Sequence, residues 1–282
     1  MDVRAVAIVG AGTMGSGIAQ AAAISGVDVT LIDVAEPMLA KAREGIARNF
    51  ERAVAKAKMA AADKESALQR ITTAVDYAAM RSADLVIEAA TENIEVKTRI
   101  LKQVDSLVRP EAIIASNTSS ISITKLAAAV SRPERFVGMH FFNPVPVMAL
   151  VEIVRGLQTS DATHGAIRDL CAKLGKTPIT TKSTPGFVVN RLLCPMINEA
   201  FFVLGQDGVT AEDVDNGMKL GCNHPIGPLA LADLIGLDVL LSVMETLHEE
   251  FGDSKYRPAP LLREMVAAGY LGRKTGRGVY RY

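Results

Sequence analysis

Residues 5–20 read AVAIVGAGTMGSGIAQ, an unbroken apolar run that ends in Gly10 and opens into an alanine-rich helical stretch. An apolar run without polar alternation is the pattern of a parallel strand buried on both faces, which requires helices packed above and below it. Gly10, Gly12 and Gly15 supply the spacing G-x-G-x-x-G, and Asp33 closes a second strand, DVTLID, at 28–33. In that context the three glycines do different things. Gly10 makes the tight turn, Gly12 lets backbone approach a pyrophosphate, and Gly15 lets helix and strand touch. The helix N-terminus at Thr13 and Met14 offers N–H groups and a positive dipole end to phosphate. Asp33 suits the hydroxyls of an adenosine ribose. A 2′-phosphate there meets carboxylate repulsion, and Val34 and Ala35 bring no arginine to offset it. The stretch therefore points to NAD as cofactor, with a ligand-free glycine turn as the alternative.

Further strand candidates follow at 83–90, 112–120, 136–142 and 150–156, separated by helical patterns that include 94–108 and 122–130. Alternation of this kind predicts an α/β fold, a Rossmann-type doubly wound sheet. Residues 36–70 are charged, alanine-rich and helical in period, an insertion of two helices broken around AAADKES. Near 183–187 the texture changes to long apolar helices with Gly and Pro breaks. The 282 residues thus divide into an NAD-binding domain over 1–184 and a smaller all-α domain over 185–282.

Lys plus Arg and Asp plus Glu both number 31, so no net charge recommends nucleic acid or an anionic membrane as a partner. The most apolar later stretch, PLALADLIGLDVLLSVM, carries Asp233 and Asp238, is broken by Gly236, and reads as buried helix rather than a bilayer span. The chain is already strand-like by residue 4, so no leader is expected. Cys171, Cys194 and Cys222 are odd in number and far apart, the usage of reduced thiols in the cytoplasm. Cys222 and His224 have no second ligand pair nearby, so no metal is expected.

His140 stands between Met139 and Phe141 in GMHFFNPV, and the next strand carries a lone carboxylate, Glu152, inside ALVEIV. A buried carboxylate is costly unless paired. Imidazole titrates near neutrality and can take the proton of a secondary alcohol whose hydride goes to nicotinamide. On the residues alone, a structural His–Glu pair is as good a reading as a catalytic one.

VAIVGAGTMGSGIAQ, EAATENIEVK, ASNTSSISIT, GMHFFNPVPVMALVEIV, PGFVVNR and YLGRKTGRGVY occur in that order over essentially the whole chain. Together they resemble the 3-hydroxyacyl-CoA dehydrogenase family, in particular its short, single-function bacterial members. The resemblance implies reversible NAD-dependent oxidation of (S)-3-hydroxybutyryl-CoA to acetoacetyl-CoA. It implies His140 as acid/base, Glu152 as its orienting partner, Ser119 on the C3 oxygen of the substrate, and Asn190 at the substrate's polar end. Glu92, Lys97, Asn117, Ser119 and Asn143 match positions that line the cofactor, and the C-terminal helices match a homodimer surface. Ser119 and Asn190 also suit turn or cap roles, and Glu92 with Lys97 suits a surface pair. Arg48, Arg52 and Lys56 share one helix face, with Lys58 beyond, and match a region beside the coenzyme A tail; Glu44 and Glu51 leave an ordinary solvated face equally open. A sugar-acid dehydrogenase of the gulonate 3-dehydrogenase type would use the same His–Glu pair, and a non-catalytic NAD-binding protein would lack a use for it. The basic helix, the complete HFFNPV stretch and the YLGRKTG ending favour the CoA ester.

The Asp33 reading predicts that NADH binds at least tenfold more tightly than NADPH, the equivalent of about 1.4 kcal/mol of repulsion. Titration by fluorescence measures both, and equal affinity refutes it.

Overall fold

The computed structural model describes residues 2–282, which divide into two compact units, one through Thr184 and the other Pro185–Tyr282. The first unit is built on eight strands: β1 (Ala5–Val9), β2 (Asp28–Ile32), β3 (Ile71–Ala74), β4 (Leu85–Glu88), β5 (Ile113–Ser116), β6 (Phe136–Phe141), β7 (Leu150–Arg155) and β8 (Thr177–Lys182). Their order across the sheet is β3-β2-β1-β4-β5-β6-β7-β8. The six strands β1 to β6 are parallel; β7 reverses against β6, and β8 runs parallel to β7. Six helices connect them: α1 (Thr13–Ile24), α2 (Glu36–Ala55), α3 (Ala61–Gln69), α4 (Ile94–Leu107), α5 (Ile123–Ala127) and α6 (Asp161–Lys173). The central strands are buried along their whole length, as their unbroken apolar runs demand. The core joins Ile8, Leu31, Leu85, Ile87, Ile113 and Met139 with the inner faces of α1, α2 and α6.

Two edge strands, β3 and β8, escape the sequence reading. ITTA and TPITTK are short, rich in threonine and partly exposed, so neither shows the apolar run that marks the interior strands. The break in the helical insertion also differs. AADKES lies inside α3, and the chain turns earlier, where Ala57 takes a left-handed conformation (φ 53°). Lys58 N–H there donates to Ala53 C=O and Ala57 N–H to Val54 C=O, a helix-ending arrangement that usually recruits glycine. With alanine at that position, the stop signal is invisible in the sequence.

The second unit is helical: α7 (Val189–Leu204), α8 (Ala211–Asn216), α9 (Pro228–Ile235), α10 (Leu237–Phe251) and α11 (Pro260–Ala267), with a π-turn at Gly217–Gly221. Gly236, at φ 103°, separates α9 from α10. Buried Asp233 holds the chain end, accepting from the N–H groups of Val279 and Tyr280 and from the Tyr282 hydroxyl. Asp215 accepts from the Tyr280 hydroxyl and from the first N–H groups of α9. No helix among the described residues is long and apolar enough to cross a membrane.

Candidate active site

The glycine loop leaves β1 at Gly10, whose φ of 105° excludes most side chains and whose Cβ would strike Ala90 and Ala89 at 2.6–2.7 Å. At Gly15 a Cβ would overlap the Gly10 carbonyl, so α1 can begin this close to the strand only with glycine there. A Cβ on Gly12 would meet nothing within 4 Å: the space above this turn is open. Gly12 is also the N-cap of α1 and makes no side-chain cap bond, so the N–H groups at Thr13 and Met14 face that opening without a side-chain acceptor at the cap. Asp33 accepts from Ala11 N–H at 2.8 Å and from Ala35 N–H at 3.0 Å. Each carboxylate oxygen accepts about two hydrogen bonds, so capacity remains for ribose hydroxyls. A cleft of about 650 Å³ opens beside it, lined by Gly10, Asp33, Tyr77, Thr91, Val96 and Arg99. Burial, then the carboxylates of Asp33 and Glu88, push the Tyr77 hydroxyl above its ordinary pKa. These features fit a dinucleotide. A second cleft of about 370 Å³ joins Gly12 and Thr13 to Lys41, Arg48, Asn143 and Pro144.

The remaining residues of this unit converge on the carboxyl ends of the parallel strands, where open α/β sheets bind ligands. His140 and Glu152 are direct cross-strand partners in the antiparallel β6–β7 pair. Their side chains are buried, and Nδ1 lies 2.6 Å from Oε2 of Glu152. A carboxylate can only accept, so Nδ1 carries the hydrogen. Phe142 leans on the imidazole, its ring centroid 4.5 Å away.

Asn117, just past β5, accepts from Phe141 N–H at 2.9 Å and ties that strand end to the end of β6. Glu92 accepts from Ser119 N–H (2.8 Å), Ser119 hydroxyl (3.2 Å) and Thr118 hydroxyl (2.8 Å), fixing the turn that carries Ser119. Helix α5 is capped instead by Ser122, which removes the cap reading of Ser119. Lys97 is not a surface residue. It is 1% exposed and donates to Glu88 at 2.6 Å, with Ser116 hydroxyl at 3.4 Å and Glu92 at 3.7 Å. The surface-pair alternative is thereby overturned, because the strand order brings buried Glu88 beneath α4. Glu88 also accepts from Ala90 N–H and Ser116 hydroxyl, so the buried pair is fully bonded.

Asn190 belongs to the second unit, where it is the second residue of α7; Val188 occupies the N-cap, so the cap reading of Asn190 fails too. Arg52 and Lys56 are exposed on α2 and at its C-cap, and Arg48 pairs with Glu44 at 3.4 Å. The sequence reading passed over Glu88, although LVIEAA carries the same signal as ALVEIV: a lone carboxylate in an apolar strand.

Residues 5–184 match the family described as 3-hydroxyacyl-CoA dehydrogenase, NAD binding domain, and residues 186–282 match the C-terminal domain of the same family. A 3-hydroxybutyryl-CoA dehydrogenase of Bradyrhizobium diazoefficiens is 51% identical over 280 residues, 99% of this chain and 96% of that protein. That of Clostridioides difficile is 45% identical over 277 residues, 98% of this chain and 99% of the relative. The crystal structure of an (S)-3-hydroxybutyryl-CoA dehydrogenase from Ralstonia eutropha superposes with a TM-score of 0.98 at 63% identity, covering 100% of this chain and 99% of that one.

Replacing Lys97 by Met strands the Glu88 carboxylate in the interior and should cost about 3–5 kcal/mol of stability. Urea denaturation measures this, and Glu88→Gln/Lys97→Met should recover a large part of the loss. A double variant as unstable as the sum of the single ones contradicts the pairing.

Proposed function

The chain belongs to the 3-hydroxyacyl-CoA dehydrogenase family of NAD-dependent oxidoreductases, and we propose from that premise that it interconverts (S)-3-hydroxybutyryl-CoA and acetoacetyl-CoA. The observation that carries the chemistry is the buried 2.6 Å contact between His140 and Glu152 at the mouth of the dinucleotide-binding sheet. Bound NAD supplies the acceptor for the hydride leaving C3. Gly12, Thr13 and Met14 hold its pyrophosphate, and Asp33 its adenosine ribose. Asn117 and Asn143, together with Glu92 and Lys97, would line its ribose and nicotinamide end.

Because Glu152 fixes the hydrogen on Nδ1, Nε2 is the nitrogen that takes the C3 hydroxyl proton, and the carboxylate then stabilises the imidazolium. In the reverse direction Nε2 returns the proton to the C3 oxygen. Ser119 is assigned a hydrogen bond to that oxygen, its hydroxyl turning to it from Glu92 while its N–H keeps the turn on Glu92. Asn190 is assigned to the same polar end of the substrate. Phe142 and the apolar neighbours of His140 keep water away from the proton transfer.

Arg52 and Lys56 are assigned to the phosphates of coenzyme A, whose charge they complement. A short 3-hydroxyacyl-CoA substrate places the enzyme in butanoate and fatty-acid metabolism. Free cysteines support a cytoplasmic setting: Cys171 and Cys194 are buried, and burial pushes both thiols up to about 12. Exposed Leu192, Leu234 and Val239 on α7, α9 and α10 support a homodimer through the helical unit.

Replacing His140 by Ala should lower kcat for acetoacetyl-CoA reduction by roughly 10²–10⁴-fold, read on folded protein because the change also strands Glu152 in the interior. Retained activity, or faster turnover of gulonate with NAD, overturns the assignment. Arg52→Gln and Lys56→Gln should each raise KM for acyl-CoA severalfold, about 1 kcal/mol, while leaving KM for NADH unchanged; no effect in either variant dismisses the coenzyme A role. Sedimentation at micromolar concentration should give a dimer, and a monomer would refute the interface.

A further inference from the structure

Lys176 lies between α6 and β8 and is not among the groups assigned above, yet it is buried. Its ammonium has no carboxylate within ion-pair distance among the described residues. It donates instead to two backbone carbonyls, Val145 at 2.5 Å and Met148 at 2.8 Å. Burial lowers its pKa, as expected for a cation drawn from water onto neutral acceptors.

Both carbonyls belong to the loop that follows His140. That segment begins with Phe142 against the imidazole, passes Asn143 and turns at Pro144, whose carbonyl accepts from Val147 and Met148 N–H. The loop makes a second contact of a different kind. Val145 is buried, and Gly17 of α1 must lack a side chain because a Cβ there would stand 2.9 Å from Val145. The segment is thus held both by Lys176 and by the helix that starts at the glycine loop. Asn143 lies between these grips and His140.

The geometry points to Lys176 as a positioning residue that sets the 142–149 loop, and through Asn143 the nicotinamide end of the cofactor site. This rests on the dehydrogenase reading for what Asn143 contacts. A lysine suits this position because one ammonium can donate to two carbonyls at once, and charged donors make the stronger bonds. Asp33, assigned to the adenosine end, accepts from Ala11 and Ala35 and from nothing in this loop.

The test compares two ligands on full-length Lys176→Met and Lys176→Gln, by fluorescence titration with NADH and by its displacement with ADP. Lys176→Met should raise the Kd of NADH about tenfold, Lys176→Gln less, while the Kd of ADP stays within about twofold, since one charge-assisted bond is worth roughly that factor. In an Asn143→Ala background, Lys176→Met should add little further loss, as expected of residues acting in one chain. An unchanged NADH affinity in a folded variant overturns the proposal, as does equal weakening of NADH and ADP, which marks a general loss of structure. Should Lys176→Met fail to fold, Lys176→Gln decides the matter by the same two constants. Failure of the dehydrogenase reading would show separately, as unaltered protein that binds NADH but does not oxidise it with acetoacetyl-CoA.

Discussion

The contact between His140 and Glu152 organises the chemistry of the first unit, and it depends on a single register. The two residues face each other only because β7 returns antiparallel to β6 with Gly138 opposite Val154 and Phe141 opposite Val151. A slip of β7 by one residue would turn Glu152 to the other face of the sheet, leaving a carboxylate buried without a partner. The apolar residues around them, Met139, Phe141, Val151 and Ile153, fix that register by filling the core on the opposite face. The packing that makes the sheet stable is therefore the packing that holds the pair.

Around this pair the strand ends are tied to one another by side chains as well as by backbone bonds such as Gly10 N–H to Ile32 C=O and Asn117 N–H to Glu88 C=O. Asp33 binds the glycine loop to the end of β2, Asn117 binds β5 to β6, and Lys97 joins Glu88, Ser116 and Glu92. The ties hold groups in place before any ligand arrives, which is how a site lowers the reorganisation cost of a reaction. They also explain why charged residues are tolerated so deep. Each buried charge there has a counter-charge or several dipoles within hydrogen-bonding distance, and no buried side-chain polar atom among the described residues lacks a partner.

Much of this was legible in the sequence where one residue type has few uses. The glycine spacing with Asp33 points to a dinucleotide locally; a lone glutamate and a lone histidine in successive apolar strands predict a pair, while its use is implied only by the family resemblance. What escaped reading was tertiary. Nothing in the spacing of 88, 97 and 116 shows that three chain segments end at one point, so the sequence leaves a surface pair open for Lys97 and gives no sign of Glu88 as its partner. Lys176, in LGKTP, carries no signal in the sequence, because its acceptors are backbone carbonyls. Edge strands β3 and β8 lack two-sided burial, and the end of α2 uses alanine where glycine would have announced it.

The most direct test is a crystal structure with NAD and acetoacetyl-CoA bound together, a pairing of oxidised cofactor and ketone that cannot turn over. Nε2 of His140 should lie within about 3.2 Å of the C3 oxygen while Nδ1 keeps its bond to Glu152. An imidazole turned from that oxygen, or a C3 carbonyl held by another residue with His140 distant, would contradict the assignment.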